Sequence, residues 1–326
     1  MRRREFITLL GGATAWPIAA RGQSPAIPVI GFLSSLAPSD LGLVVPGFQQ
    51  GLNEVGFIEG RNVAIEYRWA QGDYQRLPGM AAELVKRNVA VVAAISGTPA
   101  ALAAKAATTT IPIVFAIGGD PVAPGLVTSL SHPDGNITGV SFYNSPVVTK
   151  RLDLARELVP NGSAIAMLVN PDNPPSVAEG VAIQDAAAAL GQRLLILNAN
   201  TQAHIDDAFT AIRQQQASAL IVSSDPFFFT ERVKLVVLMA RDGVVTIFAD
   251  REQAEAGGLI SYGASRVDAY RQAGNYVGRI MKGEKPTELP VILPTKFHIL
   301  VNLKTAKSLH IDLPVTLLAR ADEVIE

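Results

Sequence analysis

Ten short apolar runs rich in β-branched residues alternate with helix-length segments along this chain, and that alternation restricts it to parallel α/β architectures. The first five strands are predicted at Val29–Ser34, Val63–Trp69, Val89–Ile95, Ile113–Ala116 and Thr138–Phe142. The second five are predicted at Ala164–Val169, Arg193–Leu197, Ala219–Val222, Val245–Phe248 and Leu259–Tyr262. Helical spacing fills the intervals at Val45–Val55, Tyr74–Arg87, Pro99–Thr108, Val148–Leu158, Ser176–Leu190, Ala203–Gln215 and Thr230–Arg241. Unbroken apolar runs such as Val89–Ile95 fit strands covered on both faces, and right-handed crossovers follow.

Two series of strands imply two sheets, hence two lobes. The first lobe is expected to hold residues 27–142 plus a returning helix at 265–283. The second is expected to hold 143–263 plus the proline-punctuated segment 290–326. No connecting stretch is long, polar or Gly/Ser-rich, so three short hinge crossings are expected.

A local arrangement recurs where strands end: small polar residues, then a proline that opens the next helix or turn. It reads Ser96-Gly97-Thr98-Pro99, Asp120-Pro121, Asn170-Pro171 and Ser223-Ser224-Asp225-Pro226. Thr98 and Asp225 suit N-cap positions, with Pro99 and Pro226 at the first helical position. Such residues serve as plain caps in many helices. In open parallel sheets, however, ligands bind beyond the carboxyl ends of strands, where helix N-termini offer free N–H groups to anions. The candidate ligand-binding residues are therefore Ser34, Ser35, Ser96, Gly97, Thr98 and Asp120 from the first lobe. Asn170, Ser224, Asp225, Asp250 and Tyr262 are the candidates from the second. Ser96–Thr98 would donate to a carboxylate and an aspartate, Asp225 foremost, would hold an ammonium group. Phe227–Phe229, Tyr143 and Tyr262 could sandwich an apolar or aromatic side chain, and burial of the three phenylalanines between the lobes fits equally.

Catalytic signatures are thin. The four histidines, His132, His204, His298 and His310, form no H-x-x-x-H pair, and the chain has no cysteine. Nucleophile-elbow and glycine-rich phosphate-loop motifs are absent; Gly118-Gly119-Asp120 lacks the required spacing. No catalytic residue, metal ligand or cofactor is expected.

The N-terminus reads as an export signal: Arg2-Arg3-Arg4, an apolar stretch from Ile7 to Ala20, then Ala20-Arg21-Gly22 before Gln23. The arginines followed by Phe6 suggest the twin-arginine route. Cleavage near residue 22 and a periplasmic location are expected, with an uncleaved anchor as the alternative. Without Arg2, Arg3, Arg4, Arg21 and Glu5, 24 basic residues face 28 acidic ones, a net charge near −4. That balance gives no electrostatic drive toward nucleic acid or anionic lipid.

These residues resemble the extracytoplasmic substrate-binding proteins of ABC transporters, in the branch linked to tryptophan and other aromatic amino acids. The resemblance runs through Val29-Ile30-Gly31-Phe32-Leu33-Ser34, Gly51-Leu52-Asn53-Glu54-Val55-Gly56 and Gly60-Arg61-Asn62-Val63. It continues through Ile111-Pro112-Ile113-Val114-Phe115, Asp120-Pro121-Val122, Gly135-Asn136-Ile137-Thr138-Gly139 and Ala256-Gly257-Gly258-Leu259. Asn302-Leu303-Lys304-Thr305-Ala306 and Arg320-Ala321-Asp322-Glu323-Val324-Ile325 complete it. His310, where a glycine usually ends the last helix, and Pro133-Asp134-Gly135 depart from the family pattern. The resemblance implies a two-lobed type I periplasmic-binding fold that closes on its ligand, without catalysis. It also implies delivery to a membrane permease with its ATPase, and an aromatic or large apolar amino acid as ligand. An exported cofactor-binding enzyme and a ligand-binding sensory module are the two competing readings.

Overall fold

The computed structural model describes residues 27–42, 44–142 and 147–326. The leader and Tyr143 therefore lie outside the described residues. The first sheet is fully parallel, in the order β2-β1-β3-β4-β5, with β1 at Val29–Ser34, β2 at Ala64–Trp69, β3 at Val91–Ile95, β4 at Ile113–Ile117 and β5 at Ile137–Ser141. Helices α1 (Val44–Glu54), α2 (Leu77–Lys86) and α3 (Thr98–Ala107) connect its strands. Strands β3, β4 and β5 are buried along their whole length, as the unbroken apolar character of β3 and β4 requires.

The second sheet runs β12-β11-β10-β9-β8-β6-β7. It comprises β6 (Ala164–Val169), β7 (Leu194–Asn198), β8 (Ala217–Val222), β9 (Val245–Phe248), β10 (Ile260–Gly263), β11 (His298–Asn302) and β12 (Glu323–Ile325). Around it pack α4 (Val148–Leu158), α5 (Pro174–Ala189), α6 (Gln202–Gln214), α7 (Pro226–Thr230), α8 (Arg232–Asp242) and α9 (Arg251–Glu255). Helix α10 (Arg266–Met281) returns to the first sheet, and α11 (Leu303–Ser308) and α12 (Val315–Arg320) lie in the tail.

Three features differ from expectation. The helical segment expected at 230–241 is broken at Glu231 into α7 and α8. The proline-punctuated tail contributes two strands to the second sheet, and β11 runs antiparallel to β10, so that sheet is mixed. The tail also crosses later than residue 290: Val291 and Ile292 donate to the carbonyls of Leu130 and Gly139, and Ser141 donates to Ile292. This stretch runs along β5 at the edge of the first sheet, and the return crossing lies between Leu293 and His298. Prolines that cannot donate to a ladder hid the pairing of their neighbours. His310 adopts a left-handed conformation (φ 55°), the geometry for which glycine is the usual residue.

Helix α10 is held to the first lobe by direct backbone approach to α1. A methyl group on Gly274 would overlap the Phe48 carbonyl oxygen, and one on Gly51 would overlap that of Arg271. The contact seats the α10 N-terminus, and Arg266 with it, at the mouth of the first sheet. Replacing Gly274 with alanine must push the helices apart, an overpacking cost of about 1–3 kcal/mol. Urea denaturation of the unliganded protein is expected to show a midpoint lowered accordingly, with the slope unchanged.

Candidate functional site

The carboxyl ends of both sheets face one another across a small cavity of about 30 Å³. Its polar wall comprises Ser96, Thr98, Asn173, Ser224, Asp225, Asp250 and Arg266; Leu36, Phe142, Pro175, Pro226 and Phe229 form the apolar wall. The backbone at the end of β3 is strained to make it. Ser96 has φ 68° and Gly97 φ 125°, both in left-handed space that costs a side chain of order 1–3 kcal/mol. At Gly97 a Cβ would come 2.6 Å from Pro226 Cγ of the opposite lobe, so glycine there permits the lobes to meet. The Ser96 hydroxyl lies 2.7 Å from the Tyr270 hydroxyl, which pins the turn to α10.

The cap geometry shifts by one residue from the sequence reading. Gly97, not Thr98, is the N-cap of α3, which places Thr98 and Pro99 in the first turn. A glycine N-cap has no side chain to satisfy the first-turn N–H groups, which are left without a side-chain cap beside the cavity-lining Thr98. Asp225 does cap α7, accepting from Phe227 N at 2.8 Å, with Pro226 at the first helical position.

Four buried side-chain atoms around this cavity have no hydrogen-bond partner among the described residues: Thr98 Oγ1, Arg266 Nη1, Asn173 Oδ1 and Asp250 Oδ1. Leaving such groups unpaired costs about 1–3 kcal/mol each, so their convergence on one space is informative. The first lobe and its helix α10 supply a hydroxyl and a guanidinium. The second lobe supplies an amide carbonyl and a carboxylate. The amide orientation of Asn173 is fixed because its Nδ2 donates to Asp225 Oδ2 at 2.7 Å, which leaves Oδ1 as the atom without a hydrogen-bond partner.

Arg266 is 6% exposed and stacks over Phe229 at 4.1 Å, while Arg232 lies over the same ring at 4.8 Å. Its Nε is 4.0 Å from Asp250 Oδ1, close enough for attraction and too far for a hydrogen bond. Burial pushes the Asp250 carboxyl up to about 6; Arg266 opposes that shift, Glu252 adds to it and Arg151 opposes it. Burial likewise raises Asp225, against the four donors that stabilise its charge. Beneath the floor, Glu179 accepts from Ser224 N at 3.1 Å and from Arg151 Nη1 at 3.3 Å; both side chains of this ion pair are fully buried. Burial raises the Glu179 carboxyl as well, opposed by Arg151.

The sequence-derived candidates divide. Ser96, Gly97, Thr98, Ser224, Asp225 and Asp250 line the cavity. Asn170 sits one layer back, donating to Asp225 Oδ1 at 3.0 Å. Ser34 is buried with its hydroxyl accepting from Leu36 N, and Ser35 is buried beside it; neither lines the cavity. Asp120 accepts from Val122 N in a local turn outside it. Tyr262 lines a separate groove on the second lobe with Arg156, Arg193 and Arg320, and its ring lies 6.2 Å from Phe297. Of the phenylalanine run, Phe229 faces the cavity while Phe227 and Phe228 pack into the second lobe's core. Arg266 and Asn173 were not among the candidates. Arg266 carries a legible signal: a cation in the first turn opposes the helix dipole and is uncommon there without another purpose.

The model of the ABC transporter substrate-binding proteins matches residues 27–325. This chain belongs to that family. Its members are binding proteins rather than enzymes. A tyrosine-binding protein of Clostridioides difficile (strain R20291) is 28% identical over 264 residues, 81% of this chain and 75% of that protein. The L-Trp complex of an ABC domain from Streptococcus pneumoniae superposes with a TM-score of 0.84 at 27% identity, covering 91% of this chain and 99% of the other. The ligand-free, open structure of a substrate-binding protein with adhesive properties from Clostridium difficile gives 0.65 at 25% identity, covering 92% and 99%. At similar identity, this substrate-binding protein is nearer in shape to the tryptophan complex than to the open form. The lobes are closed, and the fold is the two-lobed periplasmic-binding architecture.

The raised Asp250 carboxyl makes a signed stability prediction. Because its folded value of about 6 lies above the ordinary 3.8, ionising it works against the folded state. The associated stability is full below about pH 4 and lost as pH rises through 6. Asp250→Asn, which keeps the size and hydrogen-bonding capacity, is expected to raise unliganded stability at pH 7.5 by about 2–3 kcal/mol. At pH 4 the two proteins should melt together, which differential scanning calorimetry at the two pH values checks.

Proposed function

We propose that this chain captures an α-amino acid with an aromatic or large apolar side chain between its lobes and delivers it to a permease and its ATPase. One observation carries the reading: the four buried atoms without a hydrogen-bond partner fall as donors on one lobe and acceptors on the other. A carboxylate fits Thr98, Arg266 and the uncapped first turn of α3. An ammonium group fits Asp250 Oδ1 and Asn173 Oδ1. A molecule with both charges would join the two walls, so binding and closure become one event. Phe142, Phe229, Leu36 and the two prolines supply an apolar surround for a side chain. The names of the Clostridioides and Streptococcus relatives, which refer to tyrosine and tryptophan, support the aromatic class.

Asp225 takes a supporting part in this reading, since its two oxygens already accept four hydrogen bonds. We further propose that the chain is exported by the twin-arginine route and that the mature form begins at Gln23. No helix among the described residues is long and apolar enough to cross a membrane. N-terminal sequencing of material from the periplasmic fraction should return Gln23; intact Met1 in the cytoplasm would contradict export.

Calorimetric titration tests the ligand chemistry. L-tryptophan or L-tyrosine is expected to bind, while tryptamine and indole-3-propionate, each lacking one charge, should lose about 2–5 kcal/mol apiece. Equal affinity for either analogue would remove the zwitterion requirement.

A further inference from the structure

Asp225 and Tyr74 together make a contact that the binding of a zwitterion does not itself require. Asp225 is 4% exposed and accepts from Asn170 Nδ2 (3.0 Å), Tyr74 Oη (3.0 Å) and Phe227 N (2.8 Å) at Oδ1, and from Asn173 Nδ2 (2.7 Å) at Oδ2. A carboxylate offers about four lone-pair sites, two on each oxygen; Oδ1, with three donors, is saturated, and Oδ2 is engaged by Asn173. Three of the donors belong to the second lobe. The fourth, Tyr74, comes from the single 3-10 turn Tyr74–Arg76 of the first lobe, between β2 and α2. Its ring packs against apolar clusters of both lobes, and its hydroxyl also accepts from Phe227 N at 3.2 Å.

We propose that Asp225 is a positioning residue that aims the Asn173 carbonyl at the ligand, and that Tyr74 is the latch through which lobe closure reinforces that aim. The proposal rests on the zwitterion reading for the identity of what Asn173 meets, but the latch itself is a property of the closed protein. An ammonium group on Asn173 Oδ1 polarises the amide and strengthens its Nδ2 as a donor to Asp225. Opening removes the Tyr74 hydroxyl and leaves the buried carboxylate with one charge-assisted bond fewer. Ligand and latch therefore favour the same state through one carboxylate. A second clasp lies beside it: Asp40 of the first lobe accepts from Arg232 at 2.6 Å and from the Thr230 hydroxyl at 3.2 Å. It touches neither Asp225 nor Asn173, which makes it a control.

The test uses Tyr74→Phe in the full mature chain, a change that keeps the ring and deletes the hydroxyl. Because the chain has no cysteine, a Lys86→Cys, Gln214→Cys pair takes spin labels at one defined site on each lobe. Double electron–electron resonance on the unliganded protein is expected to show a closed, short-distance population that Tyr74→Phe diminishes about tenfold, the weight of one hydrogen bond to a charged group. Stopped-flow with L-tryptophan should show dissociation about tenfold faster at an unchanged association rate, since the latch forms after capture. Asp40→Asn should shift the closed population without altering the gain that L-tryptophan produces, whereas Tyr74→Phe should reduce that gain. Coincident unliganded distance distributions for wild type and Tyr74→Phe would overturn the latch. Failure of wild type to bind L-tryptophan would count against the amino-acid reading alone, with the unliganded distances still deciding the latch.

Discussion

Two buried charges that face each other without bonding set the terms for the rest of this molecule. The Arg266 guanidinium and the Asp250 carboxylate approach to 4.0 Å across the interlobe cavity, and each keeps an atom without a hydrogen-bond partner. A pair in hydrogen-bonding contact would neutralise itself and leave nothing for a ligand. Held slightly apart in a poorly hydrated space, each remains a recognition group whose desolvation is only partly offset. The rise of the Asp250 carboxyl to about 6 is the same imbalance expressed as proton affinity.

The fold supplies rigid supports for these charges. Arg266 is carried by α10, whose glycine contact with α1 fixes its height, and its guanidinium is braced by the Phe229 ring from the opposite lobe. Asp250 follows β9, a central strand of the second sheet, and opens α9. The buried Arg151–Glu179 pair lies one layer deeper, fixing Ser224 through its N–H and the Tyr262 carbonyl through Arg151 Nε at 3.0 Å. Strain at Ser96 and the missing Cβ of Gly97 let the first lobe's helix terminus come close to Pro226. Such strain persists where surrounding packing over-determines the backbone.

Much of this was legible in the sequence for physical reasons. Strands such as β1 and β6 were bounded correctly because unbroken apolar runs between polar turns have few other readings. Asp225 was recognised as an N-cap because aspartate before proline has a local explanation. What escaped depends on tertiary contact. The sequence reading of Asp225 as an ammonium partner carries no sign of Tyr74, Asn170 and Asn173, which all donate to its carboxylate, and Tyr74 lies 151 residues away in sequence. Tyr262 ends a strand, as cavity residues do, yet it is turned away from the cavity toward Phe297 and the outer face of the second lobe. Strand β11 is hidden between Pro294 and Pro314, and β12, only three residues long, follows the last proline; both join the ladder through residues that are not proline.

The central claim is that a zwitterion bridges the lobes, donors on one side and acceptors on the other. A crystal structure of the protein with L-tryptophan tests it most directly. The account predicts the carboxylate at hydrogen-bonding distance from Arg266 Nη1 and Thr98 Oγ1, with the ammonium group at Asp250 Oδ1 and Asn173 Oδ1. A carboxylate placed on the second lobe's wall, or an ammonium group bonded to Asp225 in place of Tyr74, would contradict it.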